Sequence, residues 1–131
     1  MQYLVLLGRI LFAGIFVHSS FGHFTSGTIG YAASHGVPLA PVAVPISGVL
    51  ALVGGLSVIL GFKAKWGACL LVLFLVPVTL MMHNFWADPA TARVQEINFM
   101  KNMSMLGAAL MLTHFGSGPL SLDDLVAKRR K

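Results

Sequence analysis

From Val42 to Phe62 the chain carries not one charged side chain, and no other feature constrains its fold as strongly. A helix needs roughly 20 mostly apolar residues, within about 17–25, to cross a bilayer. Three further segments fit: Tyr3–Phe24, interrupted by Arg9 and His18; Trp66–His83; and Phe99–Phe115, with Lys101 and Asn102 near its start. Lipid offers backbone groups no water, so only helices and closed barrels span it. These runs are continuous rather than alternating over segments of about ten residues, which selects helices over a barrel. The expectation is an all-α, integral-membrane four-helix bundle, a single transmembrane domain over residues 1–131. Only 10% of residues are charged, against about 25% in soluble domains, and no charged or Ser/Pro-rich linker divides the chain.

The second and third runs are separated only by Lys63-Ala64-Lys65, which predicts a tight hairpin. With Lys128, Arg129, Arg130 and Lys131 of the tail, that turn holds six of the nine Lys and Arg residues. Short loops rich in Lys and Arg stay in the cytoplasm, so both termini are expected inside and the loops Thr25–Pro41 and Asn84–Asn98 outside. Arg9 lies about one turn within the first run and can snorkel toward the basic side. Basic clusters at the ends of apolar runs mark orientation rather than a nucleic-acid surface. The first run lacks the basic start and prompt Ala-x-Ala site of a cleaved signal peptide. Cys69 has no second thiol with which to form a disulfide or a dithiol redox motif, and reads as a small packing residue.

Gly48, Gly54, Gly55 and Gly61 would let a neighbour approach the second helix closely. Pro77 should kink the third and free a carbonyl. The first outer loop is rich in Gly and Pro, and its Tyr31–His35 stretch suits a short interfacial helix.

Ionisable groups inside a membrane are costly and mark functional candidates. Here they gather at one depth. The first run ends in His18, Ser19, Ser20 and His23; the third closes with His83-Asn84-Phe85-Trp86; the fourth is preceded by Glu96 and Asn98 and carries Lys101 and Asn102. At about 100° per residue, Arg9, Ser20 and His23 share a stripe within about 40°, while His18 projects elsewhere. Asn98 shares a face with Lys101 and Asn102. Turned inward, these faces would enclose a single polar pocket, with Glu96 or Asp88 to pair with Lys101. Lys101, His83, Asn102 and Trp86 are donors suited to quinone carbonyls beside an apolar cleft. His18 and His83 lie at similar depth on different helices, but nothing in their spacing points to haem, and there is no Cys/His framework for zinc. Structurally, Trp86 and Tyr3 match an ordinary aromatic belt, and His and Asn at helix ends often only cap and pin.

His83-Asn84-Phe85-Trp86, Ile97-Asn98-Phe99-Met100-Lys101-Asn102 with Gly107 following, Tyr31 through Pro38, and the ending Gly116–Asp123 together resemble the DoxX family of small bacterial inner-membrane proteins, in its YphA-like branch. The resemblance implies a four-helix bundle in the inner membrane and a redox theme, since the family takes its name from a subunit linked to a quinol oxidase. Two departures stand out: Ala51 occupies a position where many relatives have Glu, and His23 one where many have Lys. The reading this favours is an accessory subunit docking a quinone-linked redox system, its pocket formed by His18, His23, His83, Asn84, Trp86, Asn98, Lys101 and Asn102. A stand-alone quinone-linked oxidoreductase, a small-solute transporter, a scaffold and a homo-oligomer are the alternatives. No flavin, haem or dithiol motif supports catalysis by the chain alone.

Overall fold

Each apolar run folds as a helix whose ends are set by residues that cannot continue it. In the computed structural model, which describes residues 1–130, six α-helices follow in order: α1 Gln2–Ser20, α2 Ser26–Ser34, α3 Ala40–Leu60, α4 Ala64–Met82, α5 Ala92–Phe115 and α6 Leu122–Arg129. A 3-10 turn, Phe21–Phe24, prolongs α1. Lys131, counted above in the basic tail, lies outside the described residues. α3 stops at Gly61, whose φ of 64° is the left-handed conformation glycine adopts at helix ends. The loop helix is longer than Tyr31–His35: α2 begins at Ser26, where the Thr25 side chain accepts from the Thr28 N–H.

α1, α3, α4 and α5 run antiparallel to their neighbours, with α3 and α4 central. Close approach depends on small residues. A Cβ on Gly54 would lie 2.9 Å from the Gly67 carbonyl oxygen, and one on Gly55 3.2 Å from that of Ala13. Ala13, Ala51, Ala64 and Ala68 are wholly buried along these seams. The bundle does not close. α1 and α5 face one another across a groove of about 240 Å³, lined by Gly8, Arg9 and Phe12 on one side and Ala108, Met111 and Phe115 on the other. Cys69 is exposed rather than packed, because it falls on the face of α4 turned away from both neighbours.

Among the described residues three helices are long and apolar enough to cross a membrane: Gln2–Phe24, counting the 3-10 turn, Ala40–Leu60 and Ala64–Met82. The fourth expected span differs. α5 starts seven residues before Phe99, at Ala92, and even its apolar part carries Asn98, Lys101, Asn102 and His114, so the helix is not apolar enough to qualify. Its length is ample: 24 residues at about 1.5 Å each give roughly 36 Å.

The end of the bundle that holds both termini is tied by the chain's last described segment. Arg9, 3% exposed, donates from Nη2 to the Leu120 carbonyl at 2.5 Å, and Asp123 supplies the opposite charge nearby. The Asp123 carboxylate accepts from the backbone N–H groups of Lys63 at 2.8 Å and Ala64 at 3.1 Å, capping α4. The Asp123 N–H in turn donates to the Gly61 carbonyl at 2.8 Å. Ser117 and Ser121, both buried, are linked at 3.0 Å. Two non-glycine residues of this knot, Lys63 (φ 48°) and Leu120 (φ 53°), are held in left-handed backbone, a strained state that persists where the surroundings over-determine it. Arg9 thus turns toward the basic end as expected, but into protein rather than toward water.

Candidate functional site

The opposite end carries the polar residues singled out in the sequence, and they do not share a pocket. α1 delivers them on two faces. Arg9 and Ser20 are buried and His23 is half-buried on the stripe predicted for them, whereas His18 is exposed. His23 reaches α3, its Nδ1 lying 2.8 Å from the Ser47 Oγ, with the ring tilted against Phe74 at 5.6 Å. Gly48 makes room for it, since a Cβ there would lie 2.7 Å from the His23 Cβ.

His83 closes α4 and crosses to α5, its Nδ1 2.8 Å from the Gln95 Oε1. Phe85, Trp86 and Phe99 meet edge to face, with Phe85 5.4 Å from Phe99 and Trp86 6.1 Å from it, so the loop after α4 is pinned to α5 by aromatic packing. Trp86 nevertheless remains 60% exposed, as a belt residue would. Asn84 lines a separate surface hollow with Tyr31, His35, Asp88 and Gln95. Asn98 and Asn102 are partly buried on α5. Gln95, which joins the two helices, carries no signal in the sequence beyond being a polar residue in the first turn of α5.

Lys101 is exposed, and neither expected partner reaches it. Glu96 pairs at 3.7 Å with Arg93, one helical turn before it, and the Asp88 carboxylate accepts from the Ala90 N–H at 2.9 Å. Five residues of spacing put Glu96 out of register with Lys101; three put it in register with Arg93. Lys101 instead shares a shallow groove of about 420 Å³ with Arg93, Glu96, Ile97, Met100 and Ser104. No group of three or more His, Cys, Asp or Glu among the described residues could hold a metal ion.

A third hollow at this end is apolar. It lies between α2, α3 and α4, measures about 150 Å³, and is walled by Val44, Pro77, Val78, Met81 and Met82 with His23, Ser47 and Thr28 as its polar members. Pro77 therefore lines a cavity wall in the middle of an unbroken α4.

Comparison with known proteins decides the family, for the SURF4 family model matches residues 1–130. The chain belongs to the SURF4 family. It is 32% identical over 123 residues to the inner membrane protein YphA of Escherichia coli, covering 92% of this chain and 88% of that one. It is 31% identical over 127 residues to the inner membrane protein YqjF of the same organism, covering 95% and 93%. The ER-derived vesicles protein ERV29 of Saccharomyces cerevisiae is 31% identical over 77 residues, which are 58% of this chain and 25% of the yeast protein. No solved structure matches. The DoxX resemblance is corrected by the family match. Its motifs are short runs at the ends of α2 and α4, within α5 and between α5 and α6, where they cap and pack helices, so they do not by themselves fix a family. The chain is a small integral membrane protein of the SURF4 family, and no observation supports a redox or quinone-linked role.

Proposed function

We propose that this SURF4-family chain is a non-catalytic accessory protein of the bacterial inner membrane, which docks another membrane protein along the uncovered face of α5. The observation that carries this reading is the character of that face. α5 packs along α4 over its whole length, from the His83–Gln95 contact at one end to Gly116 beside Lys65 at the other. Packing alongside an apolar spanning helix supports reading α5 as a fourth crossing. Yet Ala109 is its one buried residue, where α3 and α4 have seven each.

Lys101 lies six residues beyond Gln95, roughly 9 Å deeper than the end of α4. A charged side chain at the bilayer centre costs about 2.5–3.5 kcal/mol on insertion scales, less toward the interface. A partner that pairs with Lys101 and Ser104 removes this cost, and the exposed Met100, Met103 and Met111 offer an adaptable apolar surface around them. The basic turn and tail support placing both termini in the cytoplasm. The redox identity of the partner rested on the DoxX resemblance and is not part of this reading.

A photo-crosslinking residue at Met100 or Ser104, compared with one at Leu73 on α4, tests the proposal in native membranes. The expected result is a defined adduct with a second, different polypeptide from the α5 positions alone. Adducts with lipid only, at every position, would refute it, and an adduct of twice the chain's mass would make the chain a homo-oligomer instead.

A further inference from the structure

We propose that the cavity between α2, α3 and α4 is a binding site for a small hydroxyl-bearing aromatic ring of the phenol class, with His23 Nε2 accepting its hydrogen bond. The size comes first. The cavity is about 150 Å³, and an apolar protein cavity of about that volume accommodates benzene. Its walls favour a ring, because Met81 and Met82 present polarisable thioethers that pack well on aromatic faces.

The polar chemistry follows from counting protons. The Ser47 hydroxyl has a single hydrogen, and it donates to the Val44 carbonyl at 2.6 Å. The 2.8 Å contact between Ser47 Oγ and His23 Nδ1 must then be donated by the imidazole. With the proton of the neutral ring fixed on Nδ1, Nε2 carries a lone pair. Among the described residues His23 makes no second side-chain hydrogen bond, and Nε2 is not among the sealed, unpartnered atoms.

Thr28 stands at the rim, its hydroxyl accepting from Thr25 Oγ1 at 3.1 Å. The Ser47 hydrogen is already given to Val44. The acceptor on the His23 ring is therefore the group in this wall that a ligand hydroxyl can satisfy, whereas an ether or a bare ring leaves it without a partner.

The test uses the full-length protein in lipid nanodiscs, titrated with 4-fluorophenol and with 4-fluoroanisole and followed by fluorine NMR against empty discs. The two probes have similar shape, but only the phenol donates. Saturable binding of 4-fluorophenol is expected to be roughly tenfold tighter than that of 4-fluoroanisole. His23→Phe should erase the preference, and Met81→Trp, which fills the cavity without touching the His23–Ser47 contact, should abolish saturable binding of both. Equal affinity for the two probes, a preference that survives His23→Phe, binding that survives Met81→Trp, or tighter binding of benzoquinone than of phenol would each overturn the proposal.

Discussion

The two ends of the bundle are built on opposite plans. At the end holding the termini, polar groups face one another: Asp123 caps α4, Gly61 and Asp123 share a backbone bond, and Arg9 holds the Leu120 carbonyl. At the far end, polar groups are spread out singly, each with one partner or none, around an apolar void. Arg9 keeps Nε and Nη1 buried without a partner, so the knot is closely packed rather than fully satisfied, yet a newcomer there must still displace bonds already made. A void with one unused acceptor has no such barrier. Under the proposal made for the cavity, the contrast leaves bracing to one end and recognition to the other.

Substitutions at the two ends should separate the plans. The largest effect is expected from Gly61→Ala. The left-handed φ of 64° and the lack of space beside the Arg9 guanidinium, Ser117 and Ser121 together should cost about 3 kcal/mol, read as loss of thermal stability in nanodiscs. Asp123→Ala comes next, at about 2 kcal/mol, since it leaves the Lys63 and Ala64 N–H groups without their acceptor. At the far end, His83→Ala removes a single side-chain bond to Gln95 and should cost about 1 kcal/mol. Ser104→Ala, on the exposed face of α5, should leave stability unchanged within about 0.5 kcal/mol while weakening crosslinking to the partner. If Asp123→Ala proved as mild as Ser104→Ala, the terminal knot would be decorative and the contrast would fail.

Much of the fold was legible because lipid-crossing helices announce themselves locally. α1 together with its 3-10 turn, α3 and α4 each coincide with an apolar run to within two residues at either end. The glycines of α3 were readable as points of close approach, and the stripe of Arg9, Ser20 and His23 was readable from helical spacing alone. The beginning of α5 was not, since Arg93 and Glu96 make its first turns look like loop, whereas they fold as helix and pair with each other one turn apart. The knot was beyond local rules altogether, its partners Arg9 and Leu120 being 111 residues apart. The single polar pocket failed for a simpler reason. Shared depth in the membrane does not imply shared direction, and His18 and Lys101 point outward while His23 and His83 each turn to a different neighbouring helix.

The knot between Arg9 and the segment Leu120–Asp123 has a consequence for motion. It ties α1, the turn between α3 and α4, and the stretch after α5 together at one mouth of the groove. Among the described residues no side-chain hydrogen bond joins α1 to α5 at the other mouth. The two helices can therefore part like a hinge, pivoting on the knotted end and opening first at the far one.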